Sequence, residues 1–223
     1  MNPALVAVVK SLKSVVQRMR KFSLFPLLSA LFIALFIYLA FDPVDRRVWV
    51  IENIPVVGVF LLLALTYKKF QFSNFTYSML FIWLFLHTIG GHFTFANVPF
   101  DYVTEFFGFE RNNFDRLAHF SVGFYAVGIT ELLLRKGWSI KWVAYAFGFS
   151  FVMSVAAIYE IIEWIYAVVD GGEVGVEFLG SQGDIWDAQK DMLLDGLGAI
   201  FSLLLFHFTQ KIETNPSSLS SQT

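Results

Sequence analysis

Long apolar runs alternate with short polar stretches along most of the chain. A helix needs about 20 residues to cross the hydrocarbon layer of a bilayer. Six runs are long enough to predict transmembrane helices, at residues 22–41, 48–66, 75–93, 116–134, 142–166 and 188–208. The predicted fold class is therefore all-α, a polytopic membrane helical bundle with six transmembrane helices in one domain, residues 22–210.

The two ends of the chain have patterns of their own. In residues 1–21, apolar residues such as Leu5, Val9 and Leu12 recur at helical spacing between lysines and arginines. This pattern is typical of an amphipathic helix on a membrane surface, and we expect it on the cytoplasmic face. Residues 211–223 contain four serines and a proline but few apolar residues, which predicts a disordered cytoplasmic tail.

Composition agrees with a membrane protein and narrows its chemistry. Hydrophobic residues make up 57% of the chain and charged residues 15%, and the mean hydropathy is +0.62. A soluble domain of this composition would expose large apolar patches, so the lipid bilayer is the predicted partner. The net charge of −2 argues against nucleic acid, because binding phosphates needs a basic surface. The lack of cysteine excludes thiol nucleophiles and thiolate metal ligands.

The basic residues predict the orientation of the helices. The positive-inside rule places the side richer in lysine and arginine in the cytoplasm. Both termini are then cytoplasmic, and the chain crosses the membrane several times. On that side, Glu131 has Arg135 one turn away as its predicted partner. The 11 basic residues of the inner side are Lys10, Lys13, Arg18, Arg20, Lys21, Lys68, Lys69, Arg135, Lys136, Lys141 and Lys211, against 5 outside, Arg46, Arg47, Arg111, Arg116 and Lys190.

Most acidic and histidine side chains fall near the predicted outer ends of the spans. Asp115 and His119 are four residues apart and share one helix face. Near the last span, aspartates recur at positions 184, 187, 191 and 195, which places them in one stripe that enters the membrane. Charge inside a membrane is costly and is by default a candidate functional site. We expect six residues to approach one another in a single outward-facing cavity: Asp115, His119, Glu160, Glu163, Asp187 and Asp191.

Three hypotheses account for such a cavity. In the first, imidazole and carboxylate ligands hold a divalent metal that activates water, and the protein is a metal-assisted hydrolase or transferase for an outer-leaflet or periplasmic substrate. In the second, the cavity binds a small molecule or lipid, or transports one together with protons. In the third, the polar groups only hold helix ends together, with Arg111 and Arg116 neutralising carboxylates. The candidate metal ligands are His87, His92, His119, Glu160, Glu163 and Asp191, which overlap the six proposed catalytic residues.

Four ordered motifs surround these positions: residues 92–99, RNNFDRLAHF at 111–120, YEIIEW at 159–164 and LGSQGDIWDAQKDM at 179–192. Together they resemble the YjdF-like family of predicted bacterial inner-membrane proteins. The resemblance covers about the whole membrane domain and implies a multi-pass location in the bacterial inner (plasma) membrane, but it names no reaction. A fainter likeness is to VanZ-like membrane proteins, through Asp115, Arg116 and His119 and through Asp191. Asp195 stands where those proteins have asparagine.

Overall fold

The computed structural model describes residues 23–170 and 181–210 of the chain. The predicted surface helix at residues 1–21 and the predicted tail at residues 211–223 lie outside the described residues. Within the described ranges all regular secondary structure is α-helical, which confirms the all-α prediction. The helices are α1 (Phe25–Leu39), α2 (Arg46–Thr66), α3 (Asn74–Phe93), α4 (Asp101–Phe107), α5 (Phe114–Val122), α6 (Tyr125–Lys136), α7 (Lys141–Asp170) and α8 (Asp187–Thr209).

The helices differ in how well they suit a membrane. α1 is apolar but has only 15 residues, about 22 Å, which is shorter than a hydrocarbon layer of roughly 30 Å. α3 has 20 residues, but polar residues such as His87 and His92 lower its hydropathy. Among the described residues, four stretches are long and apolar enough to cross a membrane: Arg46–Thr66, Phe114–Lys136, Lys141–Val169 and Asp187–Thr209.

The predicted fourth span consists of two helices, α5 and α6, which meet at Gly123. A Cβ atom added at Gly123 would collide with the backbone of α8. One added at Gly198 of α8 would lie 2.8 Å from the carbonyl carbon of Phe120. The two helical stretches therefore cross at backbone contact, which only glycine permits at these two positions. This crossing brings His119 of α5 beside Asp195 of α8.

The two largest of the three apolar clusters among the described residues lie between the long helices. The first lies between α1, α2 and α3 and is rich in aromatic rings, with Phe25 against Tyr77 at a centroid distance of 5.0 Å. The second lies between α6, α7 and α8 and contains Val152 and Phe206. α3 also packs on α5 and α6, and so joins the two halves. Many large apolar side chains remain exposed on α2, α7 and α8, which suits contact with lipid.

A buried carboxylate fastens α3 to α6 at the end of the bundle away from Asp115. Glu131 accepts hydrogen bonds from the Ser73 backbone N–H at 2.8 Å, the Ser73 hydroxyl at 3.0 Å and the Thr76 hydroxyl. Arg135 also donates to Glu131, at 2.7 Å, which confirms their predicted pairing. These four donors satisfy a charge that would otherwise be costly to bury. Glu131 is therefore a structural residue.

Candidate functional site

α5 and α8 bring one histidine and three carboxylates together. His119 Nε2 lies 3.5 Å from Asp115 Oδ1 and 3.9 Å from Asp191 Oδ1, and His119 Nδ1 lies 3.4 Å from Asp195 Oδ1. Asp115, Asp191 and Asp195 are all buried. Asp115 and His119 share a face of α5 because they are one turn apart, as expected from their spacing. The imidazole is thus surrounded by carboxylates from two helices.

Three of these residues lie close enough together that they could hold a metal ion. One ligand atom each from Asp115, His119 and Asp191 lies within 4.8 Å of the other two. A cation bound at about 2.0–2.2 Å from its ligands would hold those atoms somewhat closer together. Mixed imidazole and carboxylate ligands suit Zn²⁺ and related divalent ions. We call Asp115, His119 and Asp191 the ligand trio.

Basic side chains cover the ligand trio on its outer side. Arg116 forms ion pairs with both Asp187 and Asp191. Arg111 Nη1 lies 2.9 Å from Asp187 Oδ1 and donates to the Ser181 carbonyl at 2.9 Å. Asp187 is therefore held by arginines and belongs to the layer above the trio. We call this layer the outer ion-pair network; its members are Arg111, Arg116, Lys190, Asp184, Asp187 and Asp191.

Asp184 forms the rim of this network, just before α8. Lys190 Nζ donates to Asp184 Oδ2 at 2.6 Å, and the Trp186 N–H donates to Asp184 Oδ1 at 3.0 Å. The hydrogen bond from Lys190 is the main reason why the pKa of Asp184 is lowered from its ordinary value, with the Trp186 N–H as the next cause. The rim therefore carries an ionised carboxylate at neutral pH.

α7 contributes two further carboxylates. Glu160 interacts electrostatically with His119 and Asp191, and its Oε1 atom is buried with no hydrogen-bond partner among the described residues. Glu163 is buried and interacts with Glu160 and Glu52. Both predicted residues thus lie at the edge of the cluster. They are not members of the ligand trio.

A second polar group, on α2, α3 and α7, borders the same cavity. His87 Nε2 lies 3.0 Å from Glu52 Oε2, and the Tyr159 hydroxyl donates to the same oxygen at 2.9 Å. His87, predicted as a metal ligand, is therefore paired with a carboxylate that the sequence analysis did not name. Glu52 is the one acidic residue of α2. A carboxylate inside a predicted span was the signal that could have identified it.

His92, also predicted as a metal ligand, lies elsewhere. Its Nδ1 atom is 2.8 Å from the carbonyl oxygen of Leu39, at the end of α1. Its own carbonyl accepts a hydrogen bond from the Val44 N–H at 3.0 Å. The last turn of α3 thus holds the α1–α2 connection, and His92 is not a member of the ligand trio.

A cavity of about 570 Å³ extends from the cluster into the bundle. Asp115, His119 and Asp191 line one end of it, together with Glu52 and Glu163. Ligand sites commonly combine an apolar cavity of roughly this size with a few convergent polar groups. The fold and the site together define a helical membrane protein with a buried Asp/His cluster at the mouth of an apolar cavity.

Comparison with known proteins gives the family. The model of the family described as "Predicted membrane protein (DUF2238)" matches residues 24–212, and the chain belongs to that family. The chain is 33% identical over 181 residues to the inner membrane protein YjdF of Escherichia coli strain K12, a match that covers 78% of this chain and 86% of that protein. The resemblance to the YjdF-like family is therefore confirmed. No solved structure matches the chain.

Proposed function

We propose that this protein is a metal-assisted hydrolase or transferase that acts on a substrate of the outer leaflet or the periplasm. The observation that carries the proposal is the ligand trio, whose three ligand atoms lie within 4.8 Å of one another at the mouth of the cavity. Histidine and carboxylate ligands can hold a divalent cation that polarises an ester and activates water.

The proposal assigns separate roles to the other acids. Glu160 lies beside the trio with a buried oxygen that has no hydrogen-bond partner among the described residues, so it is the best candidate for a further metal ligand or for the base that accepts a proton from water. Glu163 is close to Glu160 and extends the acidic wall. Asp187 and Arg116 are positioning residues, because Arg116 holds Asp187 and Asp191 together.

The proposed topology has six crossings with both termini in the cytoplasm. Contacts between helix ends support it. The α1–α2 connection touches the end of α3, and residues before α5 contact residues before α8 through Arg111 and Ser181. At the other end, Arg135 donates to the Gln71 carbonyl at 2.6 Å. Counting α1 and α3 as crossings, the chain alternates between these two ends, and the end with more basic residues is the cytoplasmic one.

Metal content measured by elemental analysis tests the proposal. Purified wild-type protein, equilibrated with Zn²⁺ or Mn²⁺ and passed through a desalting column, should retain metal in a fixed ratio to protein. Asp115→Ala and His119→Ala should lose it, because each removes a member of the trio. His92→Ala and Glu105→Ala are matched controls, a histidine and a carboxylate outside the cluster, and should retain it. Wild-type protein without metal, or equal retention by all variants, would contradict the proposal.

Proton-coupled binding or transport is the second candidate function. It is favoured by the hydrogen-bonded group of Glu52, His87 and Tyr159, which lines the same cavity as the trio and offers successive sites for a proton. In sealed vesicles containing a pH-sensitive dye, this function predicts solute-driven proton movement that Glu52→Gln abolishes. A metal-free protein in which the trio variants only lower thermal stability would instead favour a structural polar network, as in a VanZ-like accessory protein.

A further inference from the structure

Two helix faces line the cavity beyond the polar cluster. On α2 the lining residues recur at spacings of three and four, and on α7 at spacings of four, so each set lies on one side of its helix. Both faces begin with acidic residues at the polar cluster and become mainly apolar farther along. The lining residues include Glu52, Pro55, Val59, Leu62 and Thr66 of α2, and Phe151, Val155, Tyr159 and Glu163 of α7.

A cleft separates α2 from α7 along these faces. In the described part of the chain, α2 packs on α3, whereas α7 packs on α6 and α8, and the two helices have few direct contacts with each other. A hydrogen bond from the Tyr159 hydroxyl to Glu52 joins them at the polar end. The cleft is therefore bridged beside the polar cluster and is wider where both faces are apolar.

The apolar part of the cleft opens on the lateral surface of the bundle. Leu62, Phe151 and Val155 line the cavity and are also exposed. All three lie within Arg46–Thr66 and Lys141–Val169, two stretches that are long and apolar enough to cross a membrane. A bilayer around these helices brings lipid chains to the opening, since water is scarce at that depth.

Hydrocarbon is the occupant that suits these walls. A lipid chain that moves from the bilayer into an apolar cavity exchanges one apolar surrounding for another, so its entry costs little free energy. A polar ligand on the same path would lose its hydrogen bonds to water without finding others, which is costly. Selectivity then comes from the polar end, where Asp115, His119 and Asp191 line the same cavity.

We infer that the ligand of this cavity is a membrane lipid, which enters through the cleft between α2 and α7 and places its polar end at the ligand trio. This inference deepens the proposed function and rests on it for the reaction at the polar end. It selects a lipid of the outer leaflet as the substrate, rather than a soluble ester of the periplasm. Entry of the hydrocarbon depends on the cleft alone, so it can be measured without any reaction.

Quenching of Trp83 fluorescence by brominated lipid chains tests the inference. Trp83 lines the cavity and is buried, and bromine quenches tryptophan only at close range, so quenching reports a lipid chain inside the cavity. The full-length protein is reconstituted into phosphatidylcholine with or without bromine in the middle of its chains, and Trp83 should be quenched strongly by the brominated lipid. In this protein the other five tryptophans are replaced by phenylalanine: Trp49, Trp138, Trp142, Trp164 and Trp186.

Two pairs of substitutions show whether the lipid chain enters through the cleft. Leu62→Phe combined with Val155→Phe narrows the opening from both helices and should remove most of the quenching. Leu61→Phe combined with Ile161→Phe is the matched control, because both residues are exposed on the same two helices but do not line the cavity. The control should be quenched as strongly as the protein without these substitutions.

The outcomes separate this inference from the proposed function. Quenching that only the narrowed variant loses supports the lipid occupant, and it does so even in a protein that holds no metal, for which the hydrolase or transferase proposal fails. An unquenched Trp83, or equal quenching in the narrowed variant and its control, overturns the inference whatever the metal content is. Circular dichroism during heating verifies that both variants are folded, and Leu62→Phe or Val155→Phe alone replaces the narrowed variant if the pair is unfolded.

Discussion

Replacing Gly198 by alanine tests the helix crossing that builds the site. The added methyl carbon would lie 2.8 Å from the carbonyl carbon of Phe120 and 3.3 Å from its Cα atom. Nonbonded carbons prefer about 3.5–4.0 Å, so the substitution forces α5 and α8 apart. The obstructing atoms belong to the backbone, and no side-chain rotation can relieve the contact.

The size of the effect follows from two opposing terms. Overpacking of a close interface costs about 1–3 kcal/mol. Alanine has a higher helix propensity than glycine, and this difference raises the free energy of unfolding by up to about 1 kcal/mol. We therefore expect Gly198→Ala to lower the free energy of unfolding by about 1–2 kcal/mol, and the melting temperature by several degrees. His119 should also move away from Asp195, because these residues flank the crossing.

Gly58 provides the matched control. It is a glycine inside α2, and a Cβ atom added there would meet nothing within 4 Å. Gly58→Ala should therefore leave the melting temperature unchanged or raise it. Unfolding can be followed in detergent through the fluorescence of the six tryptophans. If Gly198→Ala melts at or above the temperature of Gly58→Ala, then α5 and α8 do not cross at backbone contact and the arrangement of the site is incorrect.

Three further predictions concern single polar contacts. Glu131→Gln should lower the free energy of unfolding by about 1–3 kcal/mol, because it weakens four hydrogen bonds to a buried group. Glu105→Gln is the control, and it should leave the free energy of unfolding unchanged because Glu105 is exposed. Chemical denaturation measures both variants. Because the pKa of Asp184 is lowered in the folded state, its stabilising effect is present above the ordinary value of 3.8 and is lost as the pH falls through the folded value. Asp184→Asn should therefore have a lower melting temperature than the wild type at pH 7, and this difference in melting temperature should vanish in acid. A difference that grows in acid would contradict a stabilising role of the ionised Asp184. His92→Gln should lower the free energy of unfolding by about 0.5–1.5 kcal/mol, because the hydrogen bond to Leu39 is lost. The metal content should stay unchanged. Loss of metal would show that His92 belongs to the site.

Helical periodicity was sufficient to predict the part of the site that lies on α5 and α8. Asp115 and His119 share a face because they are four residues apart, and the acidic stripe of α8 follows from spacings of three and four. Such local rules hold whatever the helices pack against. The partners of each face, however, depend on which helices cross. In the structure, Arg111 and Arg116 both form ion pairs with Asp187. Residue spacing alone could not distinguish this pairing from contact with a metal.

The contacts that helical spacing could not predict depend on tertiary packing. His87 and His92 are five residues apart in the same helix, so their side chains point to different sides. One faces Glu52 in the cavity and the other faces the end of α1. The break at Gly123 divides one apolar run into two helices, and apolar content cannot show it because both halves are apolar. Close approach of backbones at glycine was the missing information.

The charges of the site leave buried carboxylates that protons or a cation must compensate. In the outer ion-pair network, three basic residues offset three aspartates. Beneath it, Asp115, Asp195 and Glu160 remain against His119, and for Asp195 and Glu160 the described part of the chain supplies no arginine or lysine within ion-pair distance. Unpaired buried carboxylates are costly, so protons or a cation must compensate them. Asp195 and Glu160 both lie beside the ligand trio, so the metal content of the wild-type protein and of the trio variants distinguishes a cation from protons as the compensating charge.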